Sequence, residues 1–209
     1  MIDSILFDLD GTLWDSTEIV AEAWNEALAK EPKVDMTLTA EDLKKLFGLP
    51  LPAIANKLFP DLPEQEQLDL MDRCCHQEHI ALSQKCGTLF PELENTLKIL
   101  QEKYKLFIVS NCEDGYIETF LKTSGLSSYF TDFECPGNSG LLKGDNNKLI
   151  ITRNHLKSPV YLGDTQGDAD AAAYAGIPFI FAKYGFGSVD EYKYSINSFA
   201  ELPNLIASL

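Results

Sequence analysis

A doubly wound α/β fold, carrying an inserted all-helical cap, is the architecture this sequence predicts, and three observations predict it. Short apolar runs that stop at small or polar residues recur: SILFD (4–8), KLFIVSN (105–111), PVYLGD (159–164) and PFIFAK (178–183). Helical patterns separate the later runs. One long interval, from Ser16 to about Leu89, has helical periodicity and no convincing strand.

The apolar runs are rich in β-branched and aromatic residues and do not alternate with polar ones, as expected of parallel strands covered on both faces. Helices are expected near 92–103, 113–124, 145–156 and 167–175. Strand then helix, repeated, gives a Rossmann-like parallel sheet with helices on both sides.

Within the long interval, EPKVD, GLPLP and FPDLP break the helical pattern. Ile19, Val20, Ala23, Trp24, Ala27 and Leu28 share one face of a first helix, and Leu68, Met71, Cys75, His79 and Leu82 form a stripe on a later one. Connections in compact domains usually take about 4–6 residues, so this interval is read as an inserted unit. The expected division is a core of residues 1–15 and 90–209, with a helical cap at 16–89. Ligands in open α/β sheets bind beyond the carboxyl ends of the strands, and the insertion departs from there. It is expected to lie over the site as a lid.

Composition narrows the function. A net charge of −15 argues against a nucleic acid or an anionic membrane as partner, since both need clustered Lys and Arg. The 45% hydrophobic content is enough for a substantial core. Five cysteines without framework spacing suit a reducing compartment. With no basic, apolar leader and no apolar window of about 18 residues, a cytoplasmic protein is expected, acting on a small molecule as a monomer or weak homo-oligomer.

The chemistry gathers at strand ends. FDLDGTLWDS (7–16) places Asp8 where a strand stops, and Gly11 lets the chain turn so that Asp10 returns toward the same pocket. Ser110 and Asn111 follow the second strand and offer donors suited to phosphate oxygens. In GLLKGDNNKLI (140–150), Lys143 precedes a helical run that Asp145 could cap. In VYLGDTQGDAD (160–170), Asp164, Asp168 and Asp170 surround a glycine-containing turn, and three close acids repel one another unless a cation sits among them. Hard oxygen ligands with room for water and phosphate suit magnesium better than calcium or zinc.

The order D-x-D-G-T, serine after a strand, lysine before a helix, then G-D-x-x-x-D resembles the haloacid dehalogenase-like superfamily of phosphohydrolases. The insertion between the first two motifs is similar to the helical cap of its phosphoglycolate phosphatase-like and β-phosphoglucomutase-like members. The resemblance implies that Asp8 is the nucleophile and Asp10 the general acid and base, with the Asp10 main-chain carbonyl facing the metal. It implies that Ser110, with Asn111 beside it, holds phosphate, that Lys143 neutralises Asp8 and the transferring group, that Asp164 ligates Mg2+ and that Asp168 supports the ion. The metal set is thus Asp8, Asp10, Asp164 and Asp168.

The implied activity is a magnesium-dependent phosphatase acting on a small phosphorylated metabolite through an aspartyl-phosphate. A phosphomutase is the alternative, and a magnesium-dependent phosphoacceptor or ligand-binding regulator a third reading. Asp10 argues against dehalogenation, which needs no leaving-group acid. Two departures stand out: Gly144 follows the lysine where many relatives carry proline, leaving Lys148 as a rival, and Trp14 replaces a smaller residue. Cys75 and His79, at i and i+4, are read as helix packing rather than as a metal pair, and Trp14 and Trp24 as packing rather than a substrate platform.

Overall fold

The structure is a computed structural model that describes residues 2–209. Six parallel strands form the main sheet: β1 (Ser4–Phe7), β4 (Lys105–Val109), β5 (Asp132–Glu134), β6 (Pro159–Gly163), β7 (Phe179–Ala182) and β8 (Tyr194–Ile196). Their spatial order is β5-β4-β1-β6-β7-β8, so the chain winds outward from β1 in both directions. Phe7 stands level with Ile108 on one neighbour and Leu162 on the other. The strand ends at Asp8, Ser110 and Asp164 therefore meet at one edge.

Alternation along the strands divides the core. Ile5, Phe7, Ile108 and Leu162 face α5 (Leu93–Gln101), α6 (Tyr116–Ser124) and α10 (Leu202–Ala207), where Leu97, Phe120 and Ile206 cover them. Leu6, Phe107, Val109 and Tyr161 face α8 (Lys143–Arg153) and α9 (Gln166–Ala175), against Ile150 and Ala172. Burial on both faces explains why these strands read as unbroken apolar runs. The predicted α/β class holds.

The interval from Ser16 to Leu89 contains α1 (Thr17–Leu28), α2 (Ala40–Lys44), α3 (Leu51–Leu58) and α4 (Glu64–Gln84). All six residues assigned to the apolar face of the first helix are buried. On α4 the buried stripe runs through Gln67, Leu70, Met71, Cys74, Cys75, Glu78 and Leu82, so Leu68 and His79 sit at its margin. Where the interval leaves and rejoins the sheet region, β2 (Trp14–Asp15) pairs antiparallel with β3 (Thr88–Leu89).

Some boundaries differ from expectation. α6 begins at Tyr116 because Gly115 lies in the left-handed region at φ +85°, which keeps Glu113 and Asp114 in a loop. α8 begins at Lys143 itself, with Leu142 at its N-cap, so Asp145 is not the cap. Asp145 lies inside the first turn and accepts the Tyr174 hydroxyl at 2.9 Å. β5 and β8, three residues each at the sheet edges, were not anticipated.

Candidate active site

Three strand ends and two helix starts build the site. Asp8 follows β1, its amide donating to the Leu162 carbonyl at 2.9 Å, and its side chain is buried. Ser110 follows β4 and Asp164 follows β6, both buried. Lys143 opens α8, and Asp168 lies in the first turn of α9, at the third helical position of a capping box with Thr165.

Lys143 links the two halves of this cluster. Its ammonium donates to Asp8 Oδ1 at 2.6 Å and also to Asp168 Oδ1, with every partner less than 5% exposed. Burial alone would lower the lysine's pKa, but Asp168 and Asp8 hold it above its ordinary value. The other oxygen of Asp168 accepts the Thr165 hydroxyl at 2.7 Å and the amides of Thr165 and Asp164 at 3.0 and 3.2 Å. Asp168 is thus saturated, and its geometry fixes where the lysine points.

Asp164 is held differently. Its Oδ2 accepts the amides of Phe186 at 2.7 Å and Gly187 at 3.1 Å, while the Thr12 hydroxyl approaches Oδ1 at 3.4 Å. Among the described residues no cationic side chain pairs with it. Burial, with the charges of Asp168 and Asp8, pushes its pKa well up. Gly11 explains how the first loop comes so near: φ is +79°, and a Cβ there would lie 2.4 Å from an Asp164 oxygen.

These groups pass a chemical test for a divalent cation. Asp8, Asp164 and Asp168 can bring one carboxylate oxygen each within 4.8 Å of one another. Three carboxylates against the one ammonium of Lys143 leave two buried negative charges uncompensated, a costly arrangement without a further cation. The donors are all hard oxygens, as magnesium prefers.

Asp10 stands apart from that trio. Its Oδ1 accepts the Ser16 hydroxyl at 2.7 Å and the Tyr116 hydroxyl at 2.9 Å, and those two hydroxyls lie 3.0 Å apart. Burial pushes Asp10 up to about 7, against the opposing Ser16 hydrogen bond. Burial and the Asp168 charge raise Asp8 to about 6, with Lys143 opposing them. Two carboxylates two residues apart are thereby given distinct environments.

A cavity opens over Asp8 and Asp10, with Ser110 and Asn111 on its sheet side and Trp24, Phe47, Cys75 and Glu78 above. The structure thus brings together Asp8, Lys143, Asp164 and Asp168 as one buried cluster, and Asp8, Asp10, Ser110 and Asn111 around one cavity. Asn111 also reaches across it: its amide donates to the Gly48 carbonyl at 2.8 Å, in the turn between α2 and α3. Lys148, the rival lysine, sits 3.5 Å from the centre of the Tyr174 ring instead. Trp14 is buried core, packed on Phe120 at 5.0 Å between ring centres, whereas Trp24 lines the cavity as well as packing.

Sequence reasoning missed Ser16, Tyr116 and Glu78. For Glu78 a signal existed, since a carboxylate three residues after Cys75 and four before Leu82 interrupts an apolar stripe. Tyr116 leaves no local trace, because its partner is 106 residues away.

Parallel α/β topology with a cluster of carboxylates at the strand ends and one lysine at a helix start is the architecture of an α/β enzyme whose ligand sits beyond the carboxyl edge of the sheet. Residues 5–182 match the family model of the haloacid dehalogenase-like hydrolases. The chain belongs to that family. It is 27% identical over 192 residues to a phosphoglycolate phosphatase of Cupriavidus necator, covering 88% of this chain and 81% of that protein. It is also 27% identical to a phosphoglycolate phosphatase of Aquifex aeolicus, covering 87% and 85%. The crystal structure of a predicted phosphatase from Clostridium acetobutylicum superposes with a TM-score of 0.85 over 100% of both chains, at 24% identity, a likeness of fold. Among the described residues no helix is long and apolar enough to cross a membrane.

Proposed function

We propose that the protein is a magnesium-dependent phosphatase that hydrolyses a small phosphorylated metabolite through an aspartyl-phosphate on Asp8. The observation that carries this reading is the buried charge set, with Lys143 2.6 Å from Asp8 and Asp164 beside them without a cationic partner. In this reading Asp8 and Asp164 would hold Mg2+ with the Asp10 main-chain carbonyl, and Asp168 would keep Lys143 and the Asp164 loop in place. Bound there, the ion supplies positive charge to the phosphoryl oxygens.

An Asp8 carboxylate oxygen attacks phosphorus while the bond from phosphorus to the leaving oxygen breaks. Asp10 gives its proton to that oxygen, and a pKa near 7 suits a group that must both give and take a proton at neutral pH. Lys143 balances charge on Asp8 and on the moving phosphoryl group, and Ser110 donates to one of its oxygens. A water then loses its proton to Asp10 and attacks phosphorus, releasing phosphate and restoring Asp8. Helices α1 to α4 act as the cap that excludes bulk water, with the division 16–89 proposed from their position between β2 and β3.

The phosphomutase alternative needs a cationic hold for a second phosphate on the cap side. The residues lining the cavity include no lysine, arginine or histidine, which favours hydrolysis. Phosphate release from p-nitrophenyl phosphate and a panel of small phosphomonoesters tests the proposal. Release that requires Mg2+ and is lost in Asp8→Asn is expected; release that survives Asp8→Asn, or no release from any ester, overturns it.

A further inference from the structure

The cavity over Asp8 offers an unusual electrostatic environment to whatever leaves with the ester oxygen. Four carboxylates line it, Asp8, Asp10, Glu78 and Glu113, and no lysine, arginine or histidine does. Lys143 lies beneath, already bonded to Asp8 and Asp168. Its one ammonium faces the phosphoryl end.

Glu78 is a buried polar group on the wall that α4 supplies. It projects from α4, is 8% exposed, and its Oε2 accepts the Trp24 indole N–H at 2.6 Å. Among the described residues no donor reaches Oε1. The indole is itself 1% exposed, and Phe47 stands against it at 6.3 Å between ring centres. A buried carboxyl fixed through one oxygen, with apolar and aromatic neighbours, leaves its second oxygen as an acceptor toward the cavity. Such an acceptor is costly to leave unpaired once the cavity fills.

Resting on the phosphatase reading, we infer that Glu78 selects the substrate: a phosphomonoester whose leaving alcohol bears a hydrogen-bond donor, hydroxyl or ammonium, and no second anionic group. A donor pairs with Oε1 of the ionised carboxylate, and an ammonium donor favours that ionised form. A carboxylate or second phosphate meets four acidic side chains there and no lysine, arginine or histidine to replace its lost hydration. The leaving group thus differs in charge from that of phosphoglycolate, the ester in the names of the sequence relatives.

The test compares kcat/KM for four two-carbon esters, 2-hydroxyethyl phosphate, 2-aminoethyl phosphate, ethyl phosphate and 2-phosphoglycolate, with p-nitrophenyl phosphate as reference. The two donor-bearing esters should exceed ethyl phosphate by on the order of tenfold, and phosphoglycolate by on the order of a hundredfold. In Glu78→Leu the ratio of the donor-bearing esters to ethyl phosphate should fall toward one. Glu78→Gln keeps an acceptor for Trp24 and should reduce the advantage of the aminoethyl ester more than that of the hydroxyethyl ester, a readout that holds should Glu78→Leu fail to fold. Phosphoglycolate turned over as fast as the donor-bearing esters, or ratios unchanged in Glu78→Gln, would overturn the inference. Release from p-nitrophenyl phosphate with the four esters indistinguishable overturns it alone. No release from any ester removes the phosphatase reading as well.

Discussion

The Tyr116 hydroxyl donates to Asp10 Oδ1 at 2.9 Å, so a residue at the start of α6 orients a carboxylate of the first loop. The donor favours the ionised form of Asp10 and limits the rise that burial imposes.

Tyr116→Phe should therefore move Asp10 further above 7 and loosen its aim. The ring still packs on Trp14, at 5.8 Å between centres, so stability should fall by only about 1 kcal/mol. We expect kcat to drop on the order of tenfold with KM nearly constant, and the alkaline limb of the pH–rate profile to shift upward. A change confined to KM would show that Tyr116 serves the substrate rather than Asp10.

Removing the lysine should cost both activity and stability. Lys143→Met keeps a chain of similar length but strands Asp8 and Asp168 as buried acids without their counter-charge. Breaking such a buried pair costs about 3–5 kcal/mol. Urea denaturation at pH 7 should show that loss, and at pH 5, below the value near 6 to which burial raises Asp8, a smaller one. Equal losses at both pH values would separate the effect from charge.

Gly11→Ala tests the approach of the first loop to Asp164. The left-handed backbone at φ +79° costs about 1–2 kcal/mol for a residue with a Cβ. The added carbon would also collide with the Asp164 carboxylate. A lower Tm, together with weaker Mg2+ binding by isothermal titration, is the expected outcome. Unchanged Mg2+ binding would mean that Asp164 does not hold the ion.

Buried acids with raised pKa values give stability a pH dependence opposite to that of ordinary paired carboxylates. Burial raises Asp8 to about 6, Asp10 to about 7 and Glu78 to about 8, above the ordinary carboxylate range near 4. The native state then holds protons that the unfolded chain has released, so the stability these groups contribute is lost as pH rises from about 4 to 8. With EDTA present, chemical denaturation should show this decline, and Mg2+ should raise stability most at the alkaline end. Stability that climbs with pH in EDTA would contradict the assignment.

What the sequence made legible follows from chain locality. β1, β4 and β6 are apolar runs that stop abruptly, so Asp8, Ser110 and Asp164 could be placed at strand ends without coordinates. The edge strands β5 and β8 were hidden because DFE and YSI are only three residues long and are interrupted by polar residues. Lys143 and Lys148 were hard to rank by spacing alone. Helical phase separates them: five residues on, Lys148 is turned about 140° around α8, onto the face that meets Tyr174. The amides of Phe186 and Gly187 that hold Asp164 were invisible, since main-chain donors carry no sequence signature. Asn111 was expected beside phosphate and lines the cavity; one N–H of its amide also bonds Gly48, a contact that depends on how two distant turns meet.

Ser16 gives the pairing of β2 with β3 a further meaning. The residue directly precedes α1, one step beyond β2, yet its hydroxyl is one of the two that grip Asp10. A displacement of α1 that carried Ser16 with it would leave Tyr116 to hold that carboxylate alone. In the proposed mechanism this contact would tie the acid to the lid: the residue at the N-cap of α1 also sets, through its hydroxyl, the aim of Asp10.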